Sequence, residues 1–261
     1  MKRKMIALLA CLLLLGACQQ TDKLPEQESL EVKGELTDRQ KEILALEKLP
    51  TNYEELSYRQ REAIQAIEEM LTYIEDKYGK PFDYVAYYEP DMIQVETLVV
   101  CEPGLSAIDY SVEIKRVENE FQDDYPDSLA RQVYKPVIEG QLLDLMGEEN
   151  IKLTSLTCSM GQSADLVKNF EEIQKNPSFS AFHMVAIRAS DEINNLDGLE
   201  MELTDWLEKN AIQSTTRLFL LDEDVFEGIN LSNAHKADYV HQALDEREIR
   251  IGEEGTDTER E

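Results

Sequence analysis

Apolar and polar positions follow two rhythms along this chain. Over residues 57–78 the apolar side chains Ala63, Ile64, Ile67, Met70, Leu71, Ile74 and Tyr78 recur at steps of three and four, which lines them along one face of a helix. Two matching starts, Leu36-Thr37-Asp38-Arg39-Gln40 and Leu56-Ser57-Tyr58-Arg59-Gln60, each put a hydroxyl residue three positions before a glutamine. That spacing predicts a capping box at Thr37 and at Ser57. Gly79 and Pro81 end the second helix. The rhythm then shortens to two. Runs at 82–88, 93–101 and 108–117 predict strands, the third alternating Ile108, Tyr110, Val112 and Ile114 against Asp109, Ser111, Glu113 and Lys115. In the first run the alternation puts Tyr84 and Tyr88 on one face and Tyr87 on the other.

Beyond Asp123 the segments alternate in type. The pattern predicts one or two helices over 125–146 around Pro136, a strand over 151–158 and a helix over 163–175. A strand over 179–189, a helix over 199–210, a strand over 215–221 and a last helix over 232–246 follow. The fold class is therefore α+β: N-terminal helices on an antiparallel three-stranded meander over 37–120, then alternating strand and helix segments in a mixed sheet over 121–251.

The start of the chain obeys a different logic. Lys2, Arg3 and Lys4 precede an apolar run from Met5 to Leu15, too short for the ~20 residues that a membrane span needs. A basic start, a brief apolar core and small residues before a cleavage point describe an export signal over 1–17. Leu15-Gly16-Ala17-Cys18 resembles the lipobox of bacterial prolipoproteins at all four positions. The resemblance implies lipid transfer to the Cys18 sulfur, cleavage after Ala17 and anchoring at the extracytoplasmic face of the cell membrane. Residues 18–36 then read as a polar tether and 252–261 as an acidic disordered tail.

Charge narrows the partners. The chain carries 26 basic and 54 acidic residues, a net charge of −28, and loss of the signal with its three basic residues moves this to about −31. Such a balance disfavours nucleic acid and anionic headgroups as partners of the folded part. Of the four cysteines, Cys11 leaves with the signal and Cys18 takes the lipid. Cys101 and Cys158 remain, able to pair as a disulfide or to serve as small buried residues in their strands.

Candidate chemistry is sparse. His183 lies in an apolar strand, which suits a packed core residue, and His235 and His241 are six apart, not at the spacing of paired ligands. Gly161-Gln162-Ser163-Ala164-Asp165 lacks the second glycine of a nucleophile elbow, and Ser163 reads as a helix cap. Asp123-Asp124 and Asp222-Glu223-Asp224 lack calcium-loop spacing. No catalytic residue, metal or cofactor is assigned. The expectation is a lipid-anchored, non-enzymatic interaction module of the envelope, with the membrane as one partner and a protein as a further one. An extracytoplasmic enzyme or a solute-binding component of a transporter stays open as the alternative, and a deep pocket with converging polar groups would favour it.

Overall fold

The computed structural model describes residues 35–161, 166–230 and 239–252. Two compact units divide the chain, Met1–Leu56 and Ser57–Glu261. In the first, α1 (Asp38–Leu46) opens on the capping box: the Gln40 N–H donates to the Thr37 hydroxyl and the Thr37 N–H to the Gln40 side chain. A 3-10 turn (Tyr53–Glu55), capped by Asn52, follows. The signal segment and lipobox lie outside the described residues, as do all but the last two residues of the tether and all but Gly252 of the tail.

The second unit begins with α2 (Tyr58–Tyr78). Ser57 and Gln60 form the second capping box, and Gly79 closes the helix at φ 65°, a conformation that costs glycine least. Four strands come next: β1 (Asp83–Tyr88), β2 (Thr97–Cys101), β3 (Val112–Val117) and β4 (Glu120–Asp123), antiparallel in that order. The α+β class holds, but the meander has four strands rather than three. β4 contains one apolar residue, Phe121, so periodicity cannot reveal it. What makes it is the two-residue turn Glu118-Asn119, both at positive φ (50° and 69°), which suits the twist of a tight hairpin.

Two further details differ from the expected alternation. Residues Ala107–Tyr110 form a helical turn, α3, and Ile108 is two-thirds exposed rather than facing the sheet's core. The Ser128 hydroxyl donates to the Tyr110 carbonyl at 2.9 Å, one of the contacts made where that turn ends. In β1 a bulge at Val85 shifts the register, pairing Tyr84 with Val100 and Tyr87 with Leu98. Since Val100 and Leu98 share a face, Tyr84 and Tyr87 share it too, and one extra residue overturns the expected split.

Helix α4 (Tyr125–Met146) runs unbroken through Pro136 and ends at Gly147. It leads into a mixed sheet of β5 (Ile151–Ser159), β6 (Ser180–Arg188), β7 (Gln213–Leu221) and β8 (Asp245–Ile251), in that spatial order. β5–β6 and β7–β8 are antiparallel, whereas β6–β7 is parallel and is connected through α6 (Asp197–Lys209). One face packs against α4, α6 and the short α5 (Phe170–Lys175) around Tyr134, Ile138, Val185, Leu203 and Leu218. The other carries a smaller cluster in which Phe219 and Leu221 meet Phe226 of α7 (Glu223–Gly228) and Tyr239.

Two expected helices change here. Of 163–175, residues 166–168 are not helical and the helix begins only at Phe170, capped by Asn169, while Ser163 lies outside the described residues. The expected helix over 232–246 is replaced, where described, by a 3-10 turn (Val240–Gln242) and the start of β8. β8 reads Asp-Glu-Arg-Glu-Ile-Arg-Ile, and its charges lie along a sheet edge, where such residues discourage further pairing. Among the described residues no helix is long and apolar enough to cross a membrane.

Candidate functional site

The chemically distinctive residues fall at three places. The first is the junction where β4 turns into α4. Asp123, at the end of β4, has no exposed side-chain surface, and its carboxylate accepts from Tyr73 (2.8 Å), Tyr78 (2.7 Å) and the Lys77 ammonium (2.7 Å). Burial opposes the charge, yet these donors win and hold its pKa below the ordinary value. Asp124 lies under different control. Burial is the main influence and pushes its carboxyl up to about 6, although it accepts the Glu113 N–H at 2.6 Å. Two adjacent carboxylates are thus driven apart, one by donors and one by desolvation. Asp127, one turn along α4, accepts the Met160 N–H at 2.6 Å, so α4 is tied to the end of β5 as well. All three carboxylates are committed to protein partners, which makes the junction a clamp.

The second place is inside the mixed sheet. His183 is fully buried, its Nδ1 2.7 Å from the Thr216 hydroxyl and its Nε2 3.1 Å from the Tyr134 hydroxyl. Burial alone lowers its pKa to about 3, so the ring stays neutral at physiological pH. His183 and Thr216 are direct neighbours across the parallel β6–β7 pair. The network fixes that register, since a slip would strand three polar groups in an apolar core. Cys158 lies nearby in β5. Burial raises its thiol to about 12. Cys101, at the end of β2, is also raised, chiefly by burial and then by Asp83 and Glu102. Both are free, buried thiols in different sheets, not joined as a disulfide. Their protonated state leaves them unreactive.

The third place is a groove of about 430 Å³, bounded by Glu139, Leu142 and Leu143 of α4, residues 151–154 of β5, and Ile229 after α7. Its polar side chains are turned to other work. The Lys152 ammonium donates to the carbonyls of Phe226 (2.8 Å) and Ile229 (3.1 Å), and the Thr154 hydroxyl donates to that of Met184 (3.0 Å). The rest of its lining is mostly apolar, with Glu148 and with Glu139, which pairs with Lys135 at 3.7 Å. No signal in the sequence announces it, because the groove exists only where β5 becomes the edge of a sheet.

A second apolar feature is the loop between β1 and β2. The Asp91 carboxylate accepts the N–H groups of Ile93 and Gln94, both at 2.7 Å, and these bonds lower its pKa. The turn displays Met92 and Ile93 almost wholly to solvent. Among the described residues no group of three or more His, Cys, Asp or Glu side chains is placed to hold a metal ion. His241 lies in the 3-10 turn, and Glu223 and Glu227 pair with Arg188. His235 and the lipobox residues Leu15, Gly16, Ala17 and Cys18 lie outside the described residues.

No family model matches this chain, and no curated protein matches it. One solved structure is similar: a crystal structure described as a DUF5037 family protein from Ruminococcus gnavus, at 13% identity and a TM-score of 0.37, over 73% of this chain and 84% of that one. A likeness at that level carries no functional argument.

Proposed function

We propose that this protein is a lipid-anchored module of the bacterial envelope, held by Cys18 at the extracytoplasmic face of the membrane and working by binding a protein partner rather than by catalysis. Anchoring is supported by the sequence of residues 1–18: a basic start, eleven apolar residues and the four lipobox positions ending at Cys18. Binding is supported by one feature of the folded part, the mostly apolar groove beside β5, where Lys152 and Thr154 are bonded internally and Leu143 is exposed. An enzyme site would present polar groups converging on a reacting atom. Here Lys152 and Thr154 point into backbone carbonyls instead.

Membrane fractionation combined with mass spectrometry of the N-terminal peptide tests the anchor. The wild-type chain is expected in the membrane fraction, beginning at Cys18 and carrying the mass of a diacylglyceryl group. Cys18→Ala is expected to lose that mass and to retain residues 1–17. A wild-type chain that is soluble and unmodified, or a variant that fractionates and migrates like it, overturns the reading.

A further inference from the structure

We infer that the tip of the β1–β2 loop is a docking point for another envelope protein, which receives Met92 and Ile93 in an apolar pocket bordered by lysine or arginine. This rests on the binding-module reading and names the partner's chemistry. It places the contact on the antiparallel sheet rather than beside β5 of the mixed one.

The tip is made by its own sequence. Residues 89–96 read Glu-Pro-Asp-Met-Ile-Gln-Val-Glu. Asp91 closes the turn twice over. Its N–H donates to the Gln94 carbonyl at 2.9 Å, and its carboxylate accepts the N–H groups of Ile93 and Gln94. With these backbone groups satisfied inside the turn, Met92 and Ile93 are left outward, both almost wholly exposed. Val95, itself 43% exposed, joins them in lining a hollow of about 400 Å³ whose other wall is Arg116 and the Glu118-Asn119 turn between β3 and β4.

A lone exposed apolar side chain needs no explanation, because much of any protein surface is apolar. Two adjacent ones held out by a turn bonded to itself are a different case. Left in water, they add little to the core of this chain. A turn already closed also has little ordering left to lose when a partner covers it.

Charge selects the occupant. The loop holds the carboxylates of Glu89, Asp91 and Glu96 and no base, and Glu118 stands in the adjoining turn. The cation lining the hollow, Arg116, is already paired with Glu69 and Glu96. An apolar tip with an acidic collar matches an apolar pocket with a basic rim. The same collar disfavours an anionic membrane surface, and it disfavours a second copy of so acidic a chain.

The test uses the full-length, membrane-anchored chain with a photo-crosslinking residue in place of Met92, illuminated in the cells that produce it. Mass spectrometry then identifies the joined peptides. They are expected to come from a different extracytoplasmic protein, at apolar residues with lysine or arginine beside them. Ile93→Ser is expected to cut the yield about tenfold or more, the scale of a lost hot-spot side chain. Glu89→Lys combined with Glu118→Lys is expected to cut it several-fold, and to flatten its fall as salt is raised in isolated membranes. All three positions are exposed, so the variants are expected to melt with the parent chain. The crosslinker at position 201, on the exposed face of α6, serves as control. Joining to phospholipid alone, joining to the chain itself, or equal capture from position 201 overturns the proposal. So does a yield indifferent to Ile93→Ser or to the charge reversal. The crosslinker at position 143, in the groove beside β5, separates the two readings. Capture at 143 without capture at 92 sinks the loop and leaves the binding module standing, whereas capture at neither sinks both.

Discussion

The two sheets of the second unit solve the problem of buried polar groups in opposite ways. The antiparallel sheet keeps its polar network at a margin, where Asp123 gathers two tyrosines and a lysine that is still two-fifths exposed. Its charge persists because the donors outweigh burial. The mixed sheet places His183 between the central strands with two hydroxyls as partners, and burial alone keeps the ring neutral. A partly wet margin tolerates an ion pair. In the core of the mixed sheet the ring stays neutral and has a hydroxyl partner at each nitrogen.

The contrast can be broken by pH, and the largest effect belongs to His183. Its folded pKa, about 3, lies below the unfolded value near 6.5, so the unfolded chain binds the proton more readily between those limits. Stability from this group is complete above pH 6.5 and falls as pH drops toward 3, by about 5 kcal/mol at ~1.4 kcal/mol per pKa unit. His183→Gln keeps hydrogen-bonding capacity and removes the proton. Urea denaturation at a series of pH values should show the acid limb of the stability curve flattened in this variant. An unchanged limb would mean that the mixed sheet does not exclude the charged ring.

Next in size is the clamp. Asp123→Ala leaves Tyr73, Tyr78 and Lys77 facing a gap, and the loss of three hydrogen bonds to one charged acceptor costs about 3–5 kcal/mol. Asp123→Asn, which keeps an acceptor oxygen, should recover part of it. If the alanine variant unfolds within 0.5 kcal/mol of wild type, a surface-pair magnitude by the usual scale of about 0–1 kcal/mol, the clamp is decorative.

Asp124 should show the smallest effect, and with the opposite sign to His183. Its folded pKa, about 6, lies above the ordinary 3.8, so the folded chain holds the proton more tightly between those values. Stability from this carboxyl is present at low pH and lost as pH rises from about 4 through 6, by at most about 3 kcal/mol. Asp124→Asn should therefore gain stability at pH 7 relative to wild type and little at pH 4, read by the same titration. In the wild-type chain the two slopes oppose each other between pH 4 and 6, and each single variant exposes the other.

How much is legible along the chain follows from how each region meets water. Helix α2 has one wet face, so its apolar stripe, its capping box and its terminal glycine are all plain in the order of its residues. The strands of the mixed sheet read as apolar runs because both faces are covered, and β5, β6 and β7 fall within two residues of the positions those runs predict. β4 does not show itself, because one phenylalanine among Glu120, Gln122 and Asp123 carries no period. The helix expected over 232–246 gives way, among the described residues 239–246, to a 3-10 turn and the first two residues of β8. The bulge at Val85 is invisible for a plainer reason: a single inserted residue leaves no mark on composition.

By itself the sequence determined what depends on neighbours along the chain: the caps, the helix stops and the apolar runs. Only the tertiary structure decided what depends on residues far apart meeting. It left Cys101 and Cys158 in separate sheets, drove Asp123 and Asp124 to opposite behaviour one residue apart, and made β5 an edge with a groove beside it. Local pattern is set by covalent order and the pitch of helix or strand. Burial, partner and edge are properties of the packed molecule, in which distance through space replaces distance along the chain.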